Sequence, residues 1–178
     1  IVSNNSLINK TEDIASDVKT YVHKAVALNM GEIHLDIEPH TFPNWEEDRN
    51  MLEKAYLQVL HAFKQEADLM GLKLSVSIPH FYDTLLPEIA AMVDYAFIMA
   101  YESTDMSHIH WRLEHERKNF PIGKLFVVFR TQDYETEREL YDAMNTLETL
   151  GGRVQFGIHD FSSVLEWATV NATGGQNE

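Results

Sequence analysis

Three side chains capable of acid–base chemistry alternate along one short segment. They are His34, Asp36 and Glu38 in Gly31-Glu-Ile-His-Leu-Asp-Ile-Glu38, separated by Ile33, Leu35 and Ile37. Alternation of period two places the imidazole and both carboxylates on one face of a strand and the apolar residues on the other. Two carboxylates on one face repel, so one of them keeps its proton to higher pH and becomes available for acid catalysis near neutrality. Burying ionised carboxylates is costly, and stability alone does not select such a face. The structural alternative is an edge strand whose polar side is wet.

The same residues support a second chemistry. His34, Asp36, Glu38 and His40 follow one another at alternate positions, and His80 and His159 fall at the ends of two other strand-like segments. Such a set suits a divalent metal, and hence metal-dependent hydrolysis or deacetylation. His108, His110 and His115 share an amphipathic stretch and read as a solvated helix face. Trp45, Tyr82 and Tyr101 come just after strand ends, where aromatic faces either stack on sugar rings or cover the rim of the fold. Arg130 and Asp160 either bind hydroxyls or a carboxylate of a ligand, or form a rim ion pair. Ser75 and Ser77 alternate on one strand outside any Gly-x-Ser-x-Gly elbow, so they read as small inward-facing residues and not as nucleophiles.

The elements that must position these groups alternate along the whole chain. Helix-like spacing runs from Asn9, with Glu12 in a capping-box position, through Ile14, Val18, Val22, Ala25 and Leu28 to Gly31. The strand 32–38 ends at Pro39. A long helix is predicted over 45–70, with Gly71 as its C-terminal cap. Strand 72–78, a short helix over 85–92 and strand 93–101 follow, the last apolar enough to be buried on both faces. A helix over 106–118, strand 125–130, a helix over 135–150, strand 154–158 and a short helix over 163–169 complete the order. Five strands separated by helices imply right-handed crossovers and a parallel sheet. An open doubly wound sheet would place a Gly-rich phosphate turn after its first strand, and Pro39-His40-Thr41 is unlike one. The other solution is α/β of a different kind, a partial (β/α)8 TIM barrel whose active-site residues sit at strand C-termini.

Composition narrows the partners. The 178 residues suit one domain, 1–178, with a flexible tail over 170–178, and 44% hydrophobic content is enough for a core. Fourteen Lys and Arg against 28 Asp and Glu leave a net charge of −14, which repels nucleic acid and anionic membrane surfaces. No run is long enough to span a membrane, and the absence of cysteine removes disulfides, thiolate metal sites and a cysteine nucleophile. Compartment is left open, a secreted or cell-envelope setting being favoured. The first residues, IVSNNSLINK, carry neither an initiating Met nor a signal-peptide apolar region, and read as an internal start, a mature product or a fragment.

Gly31-Glu-Ile-His-Leu-Asp-Ile-Glu38 resembles the DGxDxDxE strand of family 18 glycoside hydrolases, the chitinases and endo-β-N-acetylglucosaminidases. Met99-Ala-Tyr101-Glu102 is similar to that family's Met-x-Tyr-Asp segment. A nearer likeness is to bacterial proteins of unassigned function with a GIHLDVEP strand, a following Trp, a MAY segment and a late Ile-His strand end, here Gly31 to Pro39, Trp45, Met99 to Tyr101 and Gly157 to His159. The resemblance implies a TIM barrel acting on a glycan, one containing N-acetylhexosamine being the natural candidate, without a cofactor. It implies that Glu38 protonates the glycosidic oxygen, that Asp36 orients the substrate's N-acetyl group for attack on the anomeric carbon, and that Tyr101 holds the acetamido oxygen. His34, Trp45, His80, Tyr82, Met99, Glu102, Arg130 and His159 are the expected substrate-binding residues. The departures are His34 for the outermost Asp, Met30 for the Asp before Gly31, and Glu102 for Asp. The five strands would then be strands four to eight, the rest being supplied by an N-terminal segment, a partner chain or an oligomer. A non-catalytic carbohydrate-binding barrel is the remaining alternative.

Overall fold

A computed structural model describes residues 1–10, 14–101, 103–121, 123–151, 154–160 and 162–174. Its strands are β1 (Glu32–Leu35), β2 (Lys73–Pro79), β3 (Tyr95–Met99), β4 (Leu125–Arg130) and β5 (Gln155–His159). Its α-helices are α1 (Ile14–Ala27), α2 (Trp45–Met70), α3 (Leu86–Met92), α4 (Met106–Arg112), α5 (Glu114–Asn119), α6 (Glu137–Gly151) and α7 (Ser162–Gly174). The strands form an open sheet in the order β1-β2-β3-β4-β5, with the β1–β2 and β4–β5 pairs parallel. The chain folds as two compact units, 1–96 and 97–178.

In the first unit, α2 packs on α1 and β2. Leu52, Tyr56, Val59, Leu60, Phe63 and Ala67 recur at helical spacing on one buried stripe of α2. Against that apolar core stand the alternating Ile33, Leu35 and Ile37 and, from β2, Leu74, Val76 and Ile78, all buried. Gly71 closes α2 at φ 71°, the left-handed conformation that glycine takes without a Cβ penalty. In the second unit, Leu140, Ala143, Met144 and Leu147 form the buried stripe of α6, which packs on α4, where Met106 and Ile109 are buried. Asp105 caps α4 by accepting from the backbone N–H groups of Ser107 and His108.

Several expected boundaries shift for local reasons. The strand starting at Glu32 ends at Leu35, so Asp36 and Glu38 lie in an extension beyond it. A 3-10 helix occupies Asn5–Asn9, the proposed capping partner Glu12 lies outside the described residues, and α1 ends at Ala27. The left-handed residue after α1 is Asn29, at φ 55°, and not Gly31; Leu28 is exposed instead of completing the apolar face. β3 is half-exposed at alternate positions and not buried on both faces. The helix expected over 106–118 breaks at Leu113, and within it His110 is half-buried, accepting from Arg117 Nη1 at 2.8 Å. The tail expected from 170 is helical through Gly174.

Candidate active site

Hydrogen bonds pin the segment that carries the two carboxylates. Val2 N–H donates to the His34 carbonyl at 2.8 Å and the Val2 carbonyl accepts from Asp36 N–H at 2.9 Å, a parallel bridge alongside β1. Glu38 N–H donates to Asn5 Oδ1 at 2.8 Å, and the Thr41 hydroxyl donates to the Glu38 carbonyl at 2.7 Å. Pro39 opens a 3-10 turn over Pro39–Thr41, preset by its ring and by its missing N–H. With Ile37 buried between them, Asp36 and Glu38 are both half-buried and share the opposite side.

Burial, and secondarily the Asp36 carboxylate, push the Glu38 carboxyl above its ordinary value. Among the described residues, no hydrogen bond is formed to either carboxylate. Tyr56 on α2, fully buried, feels the Asp36 charge, and Tyr82 feels that of Glu38; burial before all else holds both phenols well above the usual range. Nothing in the spacing of Tyr56 or Asn5 marks either as a neighbour of these carboxylates, because each lies far from them along the chain.

His34 is committed to β2. The register sets His34 opposite Ser75, and its ring nitrogens lie 2.8 Å from Ser75 Oγ (Nδ1) and 2.9 Å from Ser77 Oγ (Nε2). Burial lowers its tendency to protonate, against the charges of Asp36 and Glu32. His40 is turned away by Pro39: its Nδ1 lies 3.0 Å from the Tyr82 hydroxyl, and burial lowers its pKa. The alternative metal set of His34, Asp36, Glu38 and His40 is therefore not assembled, and among the described residues no group of three or more His, Asp or Glu is placed to hold a metal ion.

The aromatic expectation needs correcting. Trp45 is 8% exposed and Tyr82 not at all; they stack on each other at 6.1 Å, and Tyr56 meets Tyr82 edge-on at 5.8 Å. Neither has an open face for a sugar ring, so both are core residues beneath the strand ends. The aromatic that does reach solvent there is Phe81, 38% exposed, with the His80 and His40 rings edge-on to it at 5.4 and 5.1 Å.

In the second unit, Tyr101 follows β3, with the Arg130 guanidinium 5.6 Å from its ring centroid and the His159 ring at 5.3 Å. The β4–β5 register sets Arg130 opposite His159. Arg130 Nε and Nη2 both donate to Asp133 Oδ1, at 2.9 and 2.6 Å. Asp160 accepts instead from Ser162 and Gln132, so the rim ion pair offered as the alternative reading of Arg130 and Asp160 does not form. Met99 ends β3, half-buried. Glu102 lies outside the described residues.

No family model matches the chain, and no curated protein matches it. Solved structures do. A GH18 chitinase from Pseudoalteromonas aurantia superposes with a TM-score of 0.67 at 12% identity, covering 92% of this chain and 68% of that one. The spore cortex-lytic enzyme SleL of Bacillus megaterium QM B1551 gives 0.55 at 16% identity, covering 71% of this chain and 31% of that one. A class V chitinase from Pseudomonas fluorescens Pf-5 gives 0.54 at 20% identity, covering 71% and 43%. The fold is thus that of part of a chitinase-like TIM barrel, with its five strands in an open sheet. This chain spans less than half the length of the latter two proteins.

Proposed function

We propose that the protein cleaves a glycan, one containing N-acetylhexosamine, by carboxylic acid catalysis at Glu38. The observation that carries this reading is the Glu38 carboxyl itself: half-buried, raised in pKa by burial and by Asp36, and fixed through its backbone by Asn5 and Thr41. A carboxyl shifted in that direction holds its proton to higher pH than an ordinary glutamate and can deliver it to a leaving glycosidic oxygen. Asp36 is the adjacent carboxylate that orients the substrate's N-acetyl group, whose oxygen attacks the anomeric carbon as the glycosidic bond breaks. The chitinase and cortex-lytic names of the structural neighbours support this substrate class.

The test is release of reducing ends from N-acetylglucosamine oligosaccharides and from peptidoglycan by the intact gene product, with and without EDTA, beside Glu38→Gln. Cleavage that survives EDTA and disappears in Glu38→Gln is the expected result. Full turnover in the Gln variant, or loss on chelation restored by added metal, overturns it. Oligosaccharide binding without turnover in the wild type would instead establish the carbohydrate-binding alternative.

A further inference from the structure

The position beside Asp36, where the resembling strand carries a carboxylate, is filled here by an imidazole whose two nitrogens are both engaged. The Ser75 hydroxyl, 0% exposed, donates its one proton to Glu32 Oε1. Its oxygen can then only accept from His34, so the proton on the 2.8 Å contact belongs to Nδ1. A neutral ring with Nδ1–H leaves a lone pair on Nε2, which accepts from the Ser77 hydroxyl at 2.9 Å. Every donor in the series therefore points one way: Ser77 to His34, His34 to Ser75, Ser75 to Glu32. The β1–β2 register builds this column, since it sets Ser75 opposite His34 and Ser77 two residues further along the same face.

We propose that the Glu32–Ser75–His34–Ser77 column makes His34 a positioning residue, holding an uncharged imidazole in the Nδ1–H tautomer beside Asp36 so that position 34 supplies no counter-charge to offset the action of Asp36 on Glu38. The inference rests on the catalytic reading of Glu38 for its consequence, though not for its geometry. Among the described residues, the carboxylates acting on the ring are Glu32 on β1 and Asp36 just beyond it; β2 presents the two serine hydroxyls. Burial opposes protonation and is the largest influence, ahead of the two carboxylates.

Two measurements test the column. The first is long-range 1H–15N correlation of the imidazoles in protein labelled at histidine, with His34 assigned by its loss in His34→Asn. A neutral Nδ1–H tautomer at pH 7 is expected, together with a mixture of tautomers in Ser75→Ala, where the hydroxyl that accepts from Nδ1–H is lost. An Nε2–H tautomer or an imidazolium at pH 7 overturns the proposal, whether or not any glycan is cleaved. The second is the pH dependence of kcat/KM on a cleaved oligosaccharide. His34→Asn, neutral like the wild-type ring, leaves the alkaline limb in place, whereas His34→Asp moves it to higher pH. An upward shift in His34→Asn would mean that a positive charge had been removed, and would refute the uncharged role. Failure to cleave any glycan refutes the catalytic reading alone, because the tautomer is read without substrate.

Discussion

Replacing Tyr82 separates a packing role from a sugar-stacking one. Its ring is fully buried, stacked on Trp45 at 6.1 Å and edge-on to Tyr56, Phe81 and His40, and its hydroxyl lies 3.0 Å from His40 Nδ1. Tyr82→Ala removes an aromatic side chain from a packed site, a change that costs about 3–5 kcal/mol through lost burial and the cavity left behind. For a chain of this size each kcal/mol moves the thermal midpoint by about 2–4 °C, so the expected drop is about 6–20 °C. Tyr82→Phe keeps the ring and loses one hydrogen bond to a half-buried partner, worth about 1 kcal/mol, or about 2–4 °C. The assay is thermal and urea unfolding followed by circular dichroism and tryptophan fluorescence, beside oligosaccharide titration of the folded variants. An alanine variant within about 2 °C of wild type that binds oligosaccharide markedly more weakly would refute the packing argument and return Tyr82 to the substrate site.

Other perturbations have signs that follow from the same geometry. Because the Glu38 carboxyl is raised in the folded state, the native protein binds more protons there than the unfolded chain does. Its contribution to stability is full below the ordinary glutamate value and is lost as pH rises through the folded one. Glu38→Gln should therefore be more stable than wild type at pH 7 and lose that advantage toward pH 4, as read by urea midpoints across the range. His34 and His40 are lowered, so each contributes stability that falls away as pH drops below the ordinary histidine value near 6.5, and His34→Asn should flatten the acid side of the same curve. At Gly71 an added Cβ meets no atom within 4 Å, so Gly71→Ala isolates the left-handed strain at φ 71° and should cost roughly 1–2 kcal/mol, measured by urea unfolding.

The strand-and-helix alternation was legible in the sequence because it rests on local periodicity. The apolar stripe of α2 and its glycine cap read directly as the element observed, and the buried alternation of Ile33, Leu35 and Ile37 holds even though the strand itself ends at Leu35. The adjacency of Asp36 and Glu38 was legible for the same reason, being a matter of two residues along one chain. Exposure was not, because it depends on what other segments lay over a residue. Trp45 and Tyr82 have the composition of sugar platforms and are buried by each other, while Phe81 beside them reaches solvent. His34 reads in sequence as a metal ligand or a substrate contact until β1–β2 pairing sets two serines against its nitrogens, and a pairing register is a relation between strands about forty residues apart that neither strand contains alone. Local pattern thus determined the elements and the carboxylate pair. Only tertiary structure decided which groups around that pair were buried, which hydrogen-bonded and which charged, because desolvation and long-range contacts set those properties.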